Sequence, residues 1–479
     1  MHIIKNRPFW FLTIATVFIL VVSQLIQDGA FMDGMLYVSV SKNLHDGIGT
    51  FWDPHFCKFY QSSFHEQPPL YFGLLAIFYK VFGTSMYVER FFCFCCFVLT
   101  AVYIHKFWKK ITALYPDVAS HSWLPVFYWT IIPICFWAYT NLVEEVVMSM
   151  FVVIAVYYTF IALFLKQKII LNLVVACIFI FLSFLTKGIQ GIFPVVAAGA
   201  YWLVNRKSSF SKMFLYSLIL LGIPVLVYLL IVSTSSAAAM SFYHYFNDRV
   251  LGTFTNKNAT TGNRFFLLGM LVSHLLPIAM ISALLRFAFK KQSSGHPAKN
   301  KFNGVIVWLL LIGLAGSLPL MITLEQRTFY LVTVMPFFAL AFALWSEPFL
   351  AGILAKIDTA TRKFKMFTIV SVLFLLAALI FSGMQIGKAK RDGAMLEDVY
   401  AFGKIIPHGE IIGMPAGMCT EFNFKEYFIR YYYIDLDATD TRNSHQYYIC
   451  RKEEPKNMLP SNFTLCPVQT KEFDLYIRN

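Results

Sequence analysis

About eleven apolar runs long enough to cross a bilayer recur along the chain, near 9–26, 91–105, 123–140, 146–165, 169–185, 189–204, 213–233, 265–289, 304–323, 328–346 and 366–386. A chain built this way has few options. Backbone polar groups inside lipid must be satisfied within each segment, so the spans are helices. Composition agrees, with 58% hydrophobic residues, 14% charged residues and 50 phenylalanines among 479 positions. The fold class expected is therefore an all-α polytopic membrane protein. No basic face interleaved with aromatics accompanies the net charge of +14, which excludes a nucleic-acid partner. The first run follows "MHIIKNR" and lacks a small-residue cleavage site, so it reads as an uncleaved helix.

The stretch "SFHEQPPLYFGLLAIFYKVFG" poses the main topological question. Its apolar half, 68–83, is short, begins with Pro68-Pro69 and is interrupted by Lys80. With Lys5 and Arg7 placed inside, a non-crossing 68–83 puts every strongly basic loop on that same side. Those loops hold Lys106, Lys109 and Lys110; Lys166 and Lys168; Arg206, Lys207 and Lys212; Lys290, Lys291, Lys299 and Lys301; and Lys356, Arg362, Lys363 and Lys365. A crossing would send all of them outside. The segment is therefore expected as a short interfacial helix. The loop 27–90 and the tail 387–479 then both lie on the outer face. Alternation in "YFIRYYYIDL", "QYYICR" and "FDLYIR" predicts strands in a small α/β tail domain. "KKQSSGHPAKNK" reads as a basic inner linker.

This topology gathers the chemistry on one face. Asp33 follows the first span and Tyr37 lies one helical turn on; read alone, Asp33 is equally a helix cap. Asp28 and Asp46 precede glycine and read as turn residues. His65-Glu66 suits a cation, a sugar hydroxyl or plain solvation. Glu144 and Glu145 open the fourth span, one toward a cavity and the other toward water. Lys187, in "LTKGIQG", reads as a phosphate contact or a snorkelling lysine. His244 and Arg249 share the fourth outer loop, and Arg327 and Tyr330 the fifth. Acids able to activate a hydroxyl beside cations able to hold a phosphate describe a transferase with a phosphate-linked donor. A transporter or flippase, the reading from another class, calls for internal repeats and mid-membrane polar residues; the sequence has neither. An assembly subunit is a third reading. Cysteines in the spans read as small apolar residues, while two of Cys419, Cys450 and Cys466 can pair if the tail is outside. Asn258 and Asn462 stand in N-x-T sequons.

In order, these motifs resemble the GT-C superfamily of integral-membrane glycosyltransferases, nearest the protein O-mannosyltransferase and lipid A aminoarabinose transferase group. The resemblance covers about residues 1–345. It implies a polyprenyl-phosphate (undecaprenyl-phosphate-like) sugar donor on the non-cytoplasmic face of a bacterial inner membrane, and a hydroxyl acceptor on lipid A, a glycan or a protein. It implies Asp33 as the general base and Glu144 as the second acid. Lys187, Arg249, Arg327, Tyr330, Tyr37 and Arg90 would serve as substrate or phosphate contacts. Glu66 and His244 would ligate a divalent ion (zinc, magnesium or manganese). Two positions depart from the family's usual pattern, Gly34 after Asp33 and Gln67 after Glu66.

Overall fold

The computed structural model of the protein describes residues 2–59, 62–115, 121–206, 208–254, 259–289, 301–439, 444–453 and 462–479. Lys207, Lys290, Lys291, Lys299, the sequon at Asn258 and most of the 290–301 linker lie outside the described residues.

Among the described residues, nine helices are long and apolar enough to span a membrane. The sequence reading counted about eleven runs, and two irregularities account for the difference. The stretch 123–140 is broken at Ile132, whose ψ of 120° separates the helices Trp123–Ile131 and Pro133–Thr140. Pro133 has no N–H to offer the preceding turn, so the break falls where the residue type requires it. The 36-residue run Ile169–Val204 doubles back at Gly188. A Cβ on Gly191 would sit 2.5 Å from the Ser183 carbonyl, and Tyr201 stacks edge-on with Phe164 back at the start of the run. It therefore makes two passes, joined by a 3-10 stretch, Gly188–Val196.

The basic ends of the helices gather at one pole. Lys5 Nζ donates to the Leu354 carbonyl, Phe9 stacks on Trp123 and Tyr115 meets Phe302 there. At the other pole lie the helices Met32–His45 and Leu70–Phe82, packed against each other. The second is the non-crossing helix expected at 68–83. At 13 residues it is about 20 Å long, short of a hydrocarbon core of about 30 Å.

Beyond residue 387 the chain forms a five-stranded sheet. The strands are β1 (Ile411–Gly413), β2 (Asp435–Asp437), β3 (Tyr447–Arg451), β4 (Phe463–Leu465) and β5 (Phe473–Arg478), in the order β2-β1-β3-β5-β4. β1 pairs parallel with β2 and β3, and β5 pairs antiparallel with β3 and β4. "QYYICR" and "FDLYIR" are strands as predicted. "YFIRYYYIDL" is mostly the end of a helix, Phe422–Tyr432, with only Asp435–Asp437 in the sheet. Its buried residues Phe424, Tyr427 and Phe428 recur at helical spacing, and the run of tyrosines hid that period. Among the described residues no disulfide joins Cys419, Cys450 and Cys466.

This tail is fastened to the pole opposite the basic one by buried polar contacts. Arg430 donates to Glu89 Oε2 through Nη2 (2.6 Å) and Nε (3.0 Å). Asp28 is a hub: its Oδ1 accepts from Tyr431 (3.1 Å) and Arg90 (3.3 Å), and Tyr400 donates to its other oxygen. The sequence reading took Asp28 for a turn residue. It does accept from the Gly29 N–H, but it also joins the two ends of the chain.

Candidate active site

The site begins with a tight backbone approach. The Phe31 N–H donates to Asn141 Oδ1 at 3.1 Å, which pins the start of the helix Met32–His45 against the 141–144 turn. The next contact fixes the residue type at position 34. A Cβ on Gly34 would lie 1.9 Å from the Asn141 carbonyl oxygen. Only glycine permits this approach, which gives the departure from the family pattern its physical reason. Gly34→Ala is expected to push the first helical turn away from the turn below it. Any activity that depends on the placement of Asp33 should fall at least about tenfold, measured with the variant reconstituted in nanodiscs.

The same turn, with Leu142 at φ 63°, delivers two acids to the start of the helix Glu145–Leu163. Both are fully buried, and both meet Lys187: Nζ lies 2.5 Å from Glu144 Oε1 and 2.8 Å from Glu145 Oε1. The expected split, one acid to a cavity and one to water, does not occur, because Glu144 stands at the position before the helix and both acids close on Lys187. Lys187 is the last residue of the helix Ile169–Lys187, 3% exposed and roofed by the rings of Tyr330 (5.2 Å) and Tyr37 (5.9 Å). Gly188 follows at φ 70°, and a Cβ there would come 1.7 Å from the Tyr245 hydroxyl. That hydroxyl accepts from the Ile189 N–H at 3.1 Å, so a glycine and a tyrosine together hold Lys187 at the bend.

Asp33 differs from these paired groups. It is half-buried, with no hydrogen bond or ion pair among the described residues. Burial pushes its carboxyl up to about 6; Lys187 and Arg327 oppose the rise, while Glu145 and Glu66 add to it. A carboxylate poised near neutrality and free to accept a proton suits a general base.

Two cavities share one wall, the segment 323–330. The smaller, of ≈ 170 Å³, is lined by Lys187, Gln190, Tyr245, Arg249, Glu325 and Tyr330 among others. Arg249, on the π-helical turn Tyr245–Leu251, pairs with Glu325, whose other oxygen accepts from Thr253 at 3.2 Å. Single π turns of this kind often mark functional sites. The larger, of ≈ 510 Å³, is bounded by Phe31, Pro133, Trp137, Met270, Arg327 and Phe329 among others.

Asp33, Tyr37, Glu144, Lys187, Arg249, Tyr330 and Arg327 thus converge on one region. Arg90 stands apart, held by Asp28 and by the Gln27 and Met86 carbonyls. Glu66 adjoins Gln67, which lines the smaller cavity. His244 stacks face to face on His65 (5.3 Å, 13°) and places Nδ1 2.9 Å from Asp248 Oδ2. Asp53 bridges His65 (3.1 Å) and His55 (3.4 Å) beside that pair. Stacked rings aim their nitrogen lone pairs sideways, and among the described residues no group of three or more His, Cys, Asp or Glu side chains could hold a metal ion. The donor set at Glu66 and His244 does not fit a metal cage. The sequence reading did not assign Glu145, Tyr245 or Glu325 to the site; a second acid beside an acid, and an acid two residues before an arginine, were the signals present.

Residues 66–242 match the family profile described as dolichyl-phosphate-mannose-protein mannosyltransferase. No curated protein matches the chain. Among solved structures, the chain is similar to ArnT from Cupriavidus metallidurans, bound to undecaprenyl phosphate and in the apo state. Both have a TM-score of 0.64 and 12% identity, over 97% of each chain. It is also similar to the apo Archaeoglobus fulgidus oligosaccharyltransferase, with a TM-score of 0.50 and 12% identity, over 91% of this chain and 65% of that one. The fold is thus similar to that of ArnT, and the family match lies across the loops that carry Glu66, Arg90, Glu144 and Lys187.

Proposed function

We propose that the protein is a glycosyltransferase that moves a sugar from a polyprenyl-phosphate donor to a hydroxyl on the non-cytoplasmic face of a bacterial inner membrane. The transferase domain is taken as residues 1–386, and 387–479 as an extracytoplasmic domain on the same face. The observation that carries this reading is the half-buried Asp33 carboxylate, without an ion pair among the described residues, in the field of Lys187, which walls a cavity together with Arg249. Asp33 removes the acceptor hydroxyl's proton as the oxygen attacks the anomeric carbon, and configuration inverts. The sugar–phosphate bond breaks and the phosphate leaves with its electron pair. Because the phosphate departs as an anion whose charge is held by Arg249, with Lys187 setting the local field, no acid is needed on that side. Glu144 keeps Lys187 in place. No step runs through a metal.

The pH dependence tests this reading. A base must be ionised to act. With the Asp33 carboxyl raised to about 6, kcat/KM should climb through pH 5–7 with a midpoint near that value and be lost below it. The assay is transfer from an undecaprenyl-phosphate sugar by protein in nanodiscs. The acceptor fraction is first chosen by mass spectrometry of lipid A and glycans from cells with and without the gene. A rate flat from pH 5 to 8 would remove Asp33 from the base role.

A further inference from the structure

The two cavities differ in chemistry. In the smaller one the cations already have carboxylate partners: Lys187 has Glu144 and Glu145, and Arg249 has Glu325. The larger one has a single cation at its mouth. Arg327 lines it and, among the described residues, has no ion pair. Below Arg327 the walls are aromatic and aliphatic, with Phe31, Trp137 and Phe329 packed ring against ring at 5.2–5.8 Å.

Its depth is set by two helices that each have one end at the outer pole. Phe266, Met270 and His274 line it one turn after another down the helix Phe266–Ala288, and Trp137 and Pro133 do the same along 133–140. Eight residues of helix correspond to about 12 Å of descent into the apolar zone. The Ile132 break leaves room on one side. On the other, Gln326 holds the loop in place by accepting from the Leu267 N–H (3.0 Å) and donating to the Arg264 carbonyl (2.9 Å). The alternation along the shared wall is informative: Glu325 and Tyr330 face the smaller cavity, whereas Gln326, Arg327 and Phe329 face the larger.

We infer that the larger cavity is a second amphiphile site, and that Arg327 binds the anionic group of a lipid-anchored acceptor and not the donor phosphate. A guanidinium at the outer rim above an apolar shaft matches a ligand with an anionic head and an acyl body. A water-soluble polypeptide has no apolar segment to fill that shaft. Asp33 lies within the field of both Lys187 and Arg327, so a ligand held at Arg327 and one held near Lys187 both come within reach of the base's field. This inference rests on the transferase reading for the roles of donor and acceptor. It reassigns Arg327, which the family resemblance placed on the donor phosphate.

Native mass spectrometry of the full-length protein in detergent tests it with two probes, undecaprenyl phosphate and dioleoyl phosphatidic acid. With undecaprenyl phosphate saturating, one phosphatidic acid should still bind. Arg327→Gln, and Met270→Trp, which fills the shaft, should each weaken phosphatidic acid at least about tenfold and leave undecaprenyl phosphate bound. Arg249→Gln should do the reverse. If Arg327→Gln and Met270→Trp weaken undecaprenyl phosphate instead, the shaft is the donor's own channel and the inference is overturned. It is also overturned if a serine- and threonine-rich peptide competes for Arg327, or if neither variant alters phosphatidic acid. Failure of undecaprenyl phosphate to bind the wild type would strike the transferase reading separately, while the phosphatidic acid count still reports on the shaft.

Discussion

Asp33→Asn should lower kcat by about 10²–10⁴-fold, the range over which a positioned base contributes, and should leave the protein at least as heat-stable as the wild type. The two halves of this result have one cause. Asp33 makes no hydrogen bond or ion pair among the described residues, so asparagine removes no partner. Its carboxyl is raised from an ordinary 3.8 to about 6 because burial penalises the ionised form. A raised folded-state pKa stabilises the fold fully below pH 3.8 and loses that contribution as pH rises through about 6. Above pH 6 the wild type carries a poorly solvated charge that the variant lacks. Thermal unfolding in nanodiscs should therefore show the variant equal to the wild type near the ordinary carboxyl value of 3.8 or below, and increasingly above it as pH rises through about 6. Lost transfer with unchanged or raised stability assigns the effect to chemistry. A variant that transfers normally would remove the base, and one that melts early at pH 7.5 would show that Asp33 has a structural partner.

The gathering of the site at one pole was legible in the sequence for a simple reason. Positive charge is costly to carry across a membrane, so lysines and arginines record the topology almost directly. That record demoted 68–83 to an interfacial helix and so placed Glu66, Asp33 and His244 at one pole. Composition alone could not resolve contacts that depend on a missing atom. Gly34 read as a departure and Gly188 as a neighbour of a lysine, yet each is required by a carbonyl or hydroxyl about 2 Å from where its Cβ would stand. Pairing was illegible too. Adjacent acids at 144 and 145 read as pointing apart, because nothing in the sequence marks where a cap ends and a helix starts. Arg327 and Tyr330 sit three apart and read as one functional unit, but the wall they belong to turns them into different cavities.

Lys187 separates binding from architecture. It neutralises two carboxylates that are fully buried, so Lys187→Met leaves both charges without their partner. Breaking a buried pair in this way costs about 3–5 kcal/mol. The single variant should aggregate or melt far below the wild type, and its inactivity would carry no information about phosphate. Lys187→Met combined with Glu144→Gln and Glu145→Gln removes the whole cluster of charge at similar volume. Replacing a buried ion pair and triad by uncharged groups is often neutral for stability, so the triple variant should recover most of the melting temperature. If Lys187 serves only to hold the two acids, transfer returns with the fold. If its charge also sets the field for the departing phosphate, the triple variant is folded, still binds undecaprenyl phosphate through Arg249, and remains slow in kcat with a near-normal donor KM. A Cβ on Gly188 would stand 1.7 Å from the Tyr245 hydroxyl, so Gly188→Ala should fail even in the triple background, which marks the bend itself as the part of the site that charge removal cannot replace.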